Sequence, residues 1–232
     1  RNAKTLCRPN EHKPVHLSGG KWYQLRNPYW KGTGRACIHS LGGTRFKVLR
    51  TPRPGGNVTT YPDILRGCIW NICTPNSNIP IRVSRIRHAT TSWRIRTSHA
   101  PGTWNAAYDI WFGKHRMIQG HADGAELMIF LTTHNCCGLN GPQRVNIGHH
   151  AFLLQHWRPY DPDFHVSWNY IQFRFLQPRT SVHGLNLKRI IEVCVRKGLI
   201  RPSWWMENVE AGFEIWSGGR GLTTAAYRVN VR

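Results

Sequence analysis

Carboxylates are scarce in this sequence. Its 232 residues include 11 Asp and Glu against 32 Lys and Arg, which gives a formal net charge of +21. Such a charge favours polyanions, including nucleic acid and anionic glycans. The basic residues are scattered and not gathered in runs, and we find no zinc-finger spacing, ribonucleoprotein signature or helix-turn-helix pattern. The charge therefore indicates nonspecific adhesion better than sequence recognition, and we expect no specific nucleic-acid partner.

Long apolar runs are also missing. No stretch of about 18 apolar residues occurs, so we predict no membrane span. No signal peptide is visible, and the polar start Arg1-Asn-Ala-Lys is typical of a processed mature protein. Neither an internal repeat nor a linker rich in Pro, Gly or Ser divides the chain. We therefore predict one domain over residues 1–232, and we expect it to be secreted and monomeric.

Helical periodicity is almost absent. Short alternating segments separated by turns fill the chain, with clear alternation over 79–96 and good strands over 151–157 and 166–176. This spacing predicts an all-β fold, either a β-sandwich or a jelly roll. The exception is one helix, with an apolar face at i, i+3, i+4, i+7 and i+8, a cap at Asn186 and an end at Gly198. It should pack on the outside of one sheet and bury Cys194. Its apolar face consists of Leu187, Ile190, Ile191, Cys194 and Val195.

Three of the few acids lie in apolar strands instead of polar loops. They are Glu126, Asp109 and Glu214, in the segments 124–131, 106–112 and 211–216. Alternation places Asp109 on the same face as Trp111, and Glu214 on the same face as Trp216. A carboxylate in such a strand costs free energy unless something pairs with it or uses it. Each acid alone could be a satisfied core carboxylate.

Together the three acids point to one chemistry. If the strands line one sheet face, that face is an aromatic groove that holds a cluster of carboxylates. Indole rings stack on sugar rings, and paired carboxylates cleave glycosidic bonds. Trp157, Trp168 and Tyr170 could extend the aromatic surface, although ordinary core packing explains each of them equally well. The pattern favours a carboxylate active site about as strongly as a structural role.

Seven cysteines leave at least one thiol unpaired. Cys68 and Cys73 bracket a short turn without a second ligand pair at zinc spacing, so a small disulfide loop is favoured over a metal site. We predict no metal and no cofactor. Adjacent cysteines rarely bridge each other, so we expect Cys136 or Cys137 to pair elsewhere or to stay reduced.

The acid-bearing segments resemble glycoside hydrolase family 12. Residues 124–130 look like the nucleophile strand of that family, residues 211–216 like its acid/base strand, and residues 105–112 like its accessory-aspartate strand. Tyr61-Pro62, the Cys68–Cys73 loop and the single helix before Gly198 also fit. The match runs with few breaks from about Leu6 to the C-terminus. Any one acid motif would be weak evidence, but the three in this order are specific.

The resemblance implies a jelly-roll catalytic domain of two curved antiparallel sheets and a retaining endo-β-1,4-glucanase that binds a β-1,4-glucan. Glu126 would be the nucleophile, Glu214 the acid/base, and Asp109 the residue that hydrogen-bonds and positions Glu126. Cys7–Cys37 and Cys68–Cys73 would correspond to the disulfides of the bacterial members of the family. Met128 would lie beneath the sugar next to the nucleophile, with Trp30, Tyr61 and Trp70 on the non-reducing side. The full set of predicted substrate-binding residues is Trp30, Tyr61, Trp70, Asn105, Trp111, Met128 and Trp216.

The sequence departs from the family at several groove positions. Ile69 and Ile72 replace a His and an Asn in the disulfide loop, Thr132 replaces an Asn after the nucleophile strand, and the usual Pro-Ile-Gly turn reads Leu139-Asn-Gly. Ile69, Ile72 and Thr132 leave open a catalytically impaired glycan-binding protein. Two further alternatives stay open: a xyloglucan-specific hydrolase of the same fold, because the sequence does not give the groove width, and a polyanion-binding protein, which the net charge of +21 suggests. We also expect the surplus of Arg to oppose a raised pKa at Glu214, which would give an acidic pH optimum.

Overall fold

Strands make up most of the computed structural model, which describes residues 4–30 and 34–232. A single α-helix, α1 (Leu187–Arg196), and one turn of 3₁₀-helix (Val83–Arg85) are the helical elements of this part of the chain. In chain order the strands are β1 (Thr5–Leu6), β2 (Glu11–Leu17), β3 (Lys21–Asn27), β4 (Cys37–Gly42), β5 (Arg45–Arg50), β6 (Asp63–Ile69), β7 (Ile72–Cys73), β8 (Ile81–Arg82), β9 (Ala89–Arg96), β10 (Gly102–Gly113), β11 (Ala125–His134), β12 (Gln143–Ile147), β13 (His150–Trp157), β14 (Tyr160–Asp161), β15 (Val166–Ser167), β16 (Asn169–Phe175), β17 (Ser181–Asn186), β18 (Trp205–Met206), β19 (Asn208–Gly218) and β20 (Thr223–Val231).

The strands form two large sheets. The smaller sheet has the order β1-β4-β5-β20-β9-β17. The larger sheet has the order β12-β13-β16-β11-β10-β19-β6-β3-β2, with β7, β8 and β18 paired beside this path. Strands β14 and β15 form a separate two-stranded sheet. Every pair in the two large sheets is antiparallel except β11 and β16, which run parallel.

Aromatic side chains from both sheets make the core between them. Trp93 of the smaller sheet packs edge-on against Tyr108 of the larger sheet, with ring centroids 5.1 Å apart. Phe46 contacts Phe213 in the same way across the interface, at 5.9 Å. Because side chains alternate along a strand, residues between these core positions on the larger sheet point away from the smaller sheet. The predicted sandwich of two sheets is confirmed.

The predicted helix is also confirmed. The Asn186 side chain accepts a hydrogen bond from the backbone N–H of Arg189, which caps the first turn. Gly198 ends the helix with a φ of 71°, in the left-handed region that glycine tolerates best. Cys194 is completely buried and is the one free thiol among the described cysteines. No helix in the described part of the chain is long and apolar enough to cross a membrane.

Two strand predictions were wrong in detail. The predicted strand through 81–86 stops after Arg82, because the N–H groups of Val83 and Ser84 donate to backbone carbonyls of Trp204 and Pro202 rather than to a sheet neighbour. The predicted strand 166–176 is broken at Trp168 into β15 and β16.

The disulfides are Cys7–Cys37, Cys68–Cys73 and Cys136–Cys137. The first two confirm the pairs that the family resemblance implied. The third corrects our expectation that adjacent cysteines would not bridge each other. Cys137 adopts a φ of 71°, and its carbonyl accepts a hydrogen bond from Arg174. The tight turn that this backbone conformation makes places the two neighbouring sulfurs within bonding distance.

Candidate active site

Three adjacent strands of the larger sheet carry the three predicted acids. The central strand β10 pairs with β11 on one side and β19 on the other. Glu126 of β11 lies opposite Trp111, and Glu214 of β19 lies opposite Asn105. Asp109 lies between the two flanking strands, opposite Met128 of β11 and Glu210 of β19. Alternation places all three acids on the face turned away from the core.

Glu126 is half-buried and receives a strong donor. The indole Nε1 of Trp168 donates a hydrogen bond of 2.9 Å to its Oε2 atom. Burial raises the pKa of Glu126 to about 8, and the charge of Glu214 adds to that rise. Hydrogen bonding from Trp168 and Asp109 acts in the opposite direction, because both groups stabilise the ionised carboxylate.

Asp109 is the most buried of the three acids, at 9% exposure. Its Oδ1 atom has no hydrogen-bond partner. Burial raises its pKa well above the ordinary value, and the charges of Glu126 and Glu214 raise it further. A proton on Asp109 therefore relieves the repulsion among these carboxyl groups and provides a donor that can serve Glu126.

Glu214 is held by a single side chain. Its Oε1 atom accepts a 2.9 Å hydrogen bond from Nδ2 of Asn105. Burial raises the pKa of Glu214, while this hydrogen bond lowers it. No arginine is among the groups that shift the pKa of Glu126 or Glu214. The structure therefore gives no support to our expectation that the Arg surplus lowers the pKa of the acid/base.

Asn105, which we predicted as a substrate-binding residue, is completely buried, and its amide nitrogen donates to Glu214. It is in a position to orient the Glu214 carboxyl.

A buried ion network lies beside the acid cluster. Arg26 donates two hydrogen bonds to Asp63, at 3.0 and 2.8 Å, and a third to Glu210 at 2.8 Å. Gly212 allows this close packing, since a Cβ atom there would lie 2.3 Å from the carbonyl oxygen of Pro62. Sequence reasoning did not find this network. The alternation that selected Glu214 also applies to Glu210, but nothing in the sequence pairs it with a residue 184 positions away.

Aromatic rings extend the site along one side. His121 links the rings, with centroids 4.4 Å from Trp168 and 5.1 Å from Trp111. Phe164 continues the row, 5.7 Å from His121 and 5.3 Å from Trp70, which is 44% exposed. The predicted contacts Trp70 and Trp111 therefore belong to one aromatic wall, and Trp168 joins it to Glu126. His121 and Phe164 lie outside the regular strands, so alternation could not predict them.

The remaining predicted contacts occupy other positions. Trp30 is 55% exposed, and Trp216 is half-exposed on the same face of β19 as Glu214. Tyr61 is 6% exposed, and its hydroxyl donates to the backbone carbonyl of Ala107, so it lies beneath the surface of the acid-bearing face. Met128 belongs to a small apolar cluster on this face, with Phe130 and Ala107. The members packed around that cluster are Tyr170 and Cys137.

The fold and the site together define a class. A two-sheet β-sandwich whose solvent-side face carries neighbouring carboxyl groups beside a row of aromatic rings has the parts of a polysaccharide-cleaving enzyme. No group of three or more metal-ligating side chains is arranged to hold a metal ion within residues 4–30 and 34–232.

Comparison with known proteins agrees with this class. The model of the glycosyl hydrolase family 12 matches residues 23–232. Endoglucanase S of Pectobacterium parmentieri is 29% identical over 238 residues, which cover 96% of this chain and 86% of that protein. The structure of endoglucanase cel12A from Rhodothermus marinus is similar with a TM-score of 0.88 and 36% identity, over 98% of each chain. A metagenome-derived endoglucanase of the same family gives a TM-score of 0.86 and 35% identity, over 98% of this chain and 97% of that one.

The chain belongs to glycosyl hydrolase family 12. It is a glycoside hydrolase with the jelly-roll fold, and the predicted family, fold and enzyme class are confirmed.

Proposed function

We propose that this protein is an endo-β-1,4-glucanase that cleaves cellulose or a related β-glucan with retention of anomeric configuration. One observation carries the proposal: Glu126 and Glu214 lie on the same face of strands β11 and β19, on either side of β10, where burial and then the charge of Glu214 raise the pKa of Glu126. The names of similar endoglucanases support the substrate class.

In the first step Glu126 acts as nucleophile. Its carboxylate attacks the anomeric carbon, the glycosidic C–O bond breaks, and the proton of Glu214 passes to the departing oxygen. The products are a glycosyl ester on Glu126 and a shortened glucan that leaves. Trp168 holds Oε2 of Glu126, which fixes the carboxylate for attack.

In the second step Glu214 acts as base. Its carboxylate takes a proton from water, the hydroxide oxygen attacks the anomeric carbon, and Glu126 is released as a carboxylate. Two inversions give net retention. This chemistry needs carboxyl groups about 5–5.5 Å apart, whereas a gap of about 6.5–9.5 Å suits inversion.

Hydrogen bonding around the acids favours this division of roles, whereas burial opposes it. Glu126 accepts a hydrogen bond from Trp168, and hydrogen bonding from Trp168 and Asp109 favours its charged form. Glu214 has one neutral donor, Asn105. Burial raises the pKa of Glu126 to about 8 and also raises the pKa of Glu214, so the role of Glu126 as nucleophile rests on its donors and on the family resemblance and not on its pKa. Asp109, itself protonated, acts as a positioning residue for Glu126.

The aromatic wall supplies the platform for the glucan. Trp70, Trp111 and the exposed Trp30 present apolar ring surface on which sugar rings stack. We also propose that the enzyme is secreted, because its three disulfides are stable in oxidising compartments.

The test is product analysis on cellulose, mixed-linkage β-glucan and xyloglucan, with the anomer followed by NMR. The parent enzyme should release the β-anomer first, and Glu126→Gln and Glu214→Gln should each lose at least about 100-fold in kcat. Initial release of the α-anomer would refute retention. A parent no more active than its two variants would leave glycan binding as the function. Comparing activity on these three polysaccharides identifies the preferred substrate.

A further inference from the structure

The proposed function does not use the surplus of positive charge. The structure separates the carboxylates by sheet, whereas Lys and Arg occur on the strands of both sheets. None of the six strands of the smaller sheet contains Asp or Glu, whereas five carboxylates lie on strands around the site in the larger sheet. The smaller sheet carries six Lys and Arg residues, which are Arg45, Lys47, Arg50, Arg94, Arg96 and Arg228. Alternation places five of them, all except Arg50, on one face, although they are scattered in the sequence.

That face is turned to solvent on the side opposite the acid cluster. Along β5, exposed Arg45 and Lys47 alternate with buried Phe46 and Val48, and β9 and β20 alternate in the same way. Pairing brings the cations close together. Arg94 lies opposite Ala226, two residues before Arg228 on the neighbouring strand, so the two guanidinium groups are diagonal neighbours.

A trough crosses this face. One depression of about 520 Å³ is lined by the buried residues Trp93, Val182 and Tyr227 and by six residues that alternate with them: Ser92, Arg94, Ser181, His183, Ala226 and Arg228. A second depression of about 410 Å³ includes Arg45, Ala226 and Arg228. Because the two share Ala226 and Arg228, they join into one channel across strands β5, β20, β9 and β17. We call this channel the outer trough.

The cations of the outer trough are not neutralised within the protein. The ion pairs among the described residues are Arg8–Glu11, Arg26–Asp63, Arg26–Glu210 and Lys188–Glu192, none of which is on this sheet. Arg45 donates only to backbone carbonyls of its own hairpin. Unpaired guanidinium groups bind carboxylates well, because their planar N–H donors match the two oxygens.

The shape and chemistry favour one kind of polyanion. Nucleic-acid surfaces stack bases on exposed aromatic rings or insert an element into a groove. The large exposed apolar residues on the smaller sheet are Leu41 and Leu49, whereas the exposed aromatics belong to other parts of the chain. An open trough that presents small side chains between arginines fits a linear glycan that carries a carboxylate on each ring.

We propose that the outer trough is an accessory binding site for linear acidic polysaccharides of the polyuronate class. It lies on the side of the sandwich opposite the acids, so it holds the enzyme on a mixed polysaccharide matrix while leaving the groove free. The proposal is independent of the roles given to Glu126 and Glu214.

The test compares two double variants of equal charge. Arg94→Gln/Arg228→Gln removes two trough cations, while Arg144→Gln/Arg196→Gln removes two exposed cations of other elements. Binding to polygalacturonate is measured by affinity electrophoresis and titration calorimetry at low and high salt. We expect the trough variant to bind about tenfold more weakly with a shallower salt dependence, and the control to change less than about twofold. Hydrolysis of a soluble neutral β-glucan should be unchanged in both variants.

Equal weakening by both pairs would show that net charge alone drives retention and would overturn the proposal. So would a parent enzyme that does not bind polygalacturonate at low salt. Single-stranded DNA of equal charge is the competitor, and tighter binding of DNA through the same two arginines would also refute the assignment to polyuronates.

Discussion

The hydrogen bond from Trp168 to Glu126 gives a sharp prediction for the pH dependence of hydrolysis. Trp168→Phe keeps an aromatic ring beside His121 and Trp111 but removes the indole N–H that donates to Oε2 of Glu126. That donor stabilises only the charged carboxylate, so its loss raises the pKa of Glu126 above its present value of about 8. The nucleophile must be ionised, and therefore the acid limb of kcat/KM moves to higher pH.

The expected shift of the acid limb follows from the strength of the hydrogen bond between Trp168 and Glu126. A hydrogen bond to a charged group contributes about 1.5–3 kcal/mol, and about 1.4 kcal/mol corresponds to a tenfold change in an equilibrium constant. Because Glu126 is half-buried and water can replace part of the lost bond, the lower end applies. We expect the acid limb to rise by about one pH unit, with kcat at its optimum reduced by less than about tenfold.

The assay is kcat/KM on a soluble β-glucan across the pH range, beside Trp157→Phe as control. Trp157 is another exposed indole of the larger sheet, which packs on Tyr170 with ring centroids 4.3 Å apart and makes no hydrogen bond to an acid. The control should keep the parent's acid limb. An unmoved acid limb in Trp168→Phe, together with normal folding, would refute the assignment of Glu126 as the group whose ionisation starts the reaction.

Three further predictions concern the acids and their partners. Burial raises the pKa of Glu207 from 4.5 to about 8. The stability that protonated Glu207 contributes is therefore full below pH 4.5 and is lost as the pH rises toward 8. In urea unfolding, Glu207→Gln should match the parent at pH 4.5 and be more stable by about 2–4 kcal/mol at pH 9. Arg26→Met should cost about 3–5 kcal/mol at pH 8 because it leaves two buried carboxylates unpaired, whereas Glu210→Gln should change stability by less than about 1 kcal/mol; equal losses would contradict the ion network. Asn105→Ala removes a donor that lowers the pKa of Glu214, so the alkaline limb of the pH profile should move upward, and a downward shift would oppose the role given to Asn105.

Much of the fold could be predicted from local sequence patterns. Alternation found the strands of Asp109, Glu126 and Glu214, because a strand with one face on the core and one face on solvent repeats every two residues. The helix was equally visible from its apolar period and its cap at Asn186. The three acids could be placed on one face only by assuming that their strands were neighbours, and the resemblance to a family supplied that assumption.

Long-range partners could not be predicted in the same way. Trp168 lies between the end of β15 and the start of β16, where the alternation of side chains is interrupted. Alternation therefore could not predict that its indole donates to Glu126. Val83 and Ser84 leave the strand pattern because the carbonyls they reach belong to a segment about 120 residues later. The Cys136–Cys137 bridge depends on a left-handed backbone at Cys137, which residue type alone does not specify.

The cationic face is the clearest case of this limit. In the sequence the basic residues of the smaller sheet are separated by buried apolar residues, and they form no run. In the structure the alternation of each strand and the pairing of β5, β20 and β9 align them on one surface. Runs of like charge in the sequence therefore underestimate charge clustering in a β-protein. Side chains alternate between the two faces of a strand, so charged residues that share a face are not adjacent in the sequence.

The central claim is that Glu126 forms a covalent bond with the sugar. The direct measurement is trapping with a 2-deoxy-2-fluoro-β-cellobioside that has a good leaving group, followed by mass spectrometry of the intact protein and its peptides. We predict one glycosyl group per molecule, attached to the peptide that contains Glu126, and none in Glu126→Gln. A label on any other carboxylate, or turnover of the neutral glucan with inversion and no label, would contradict the account.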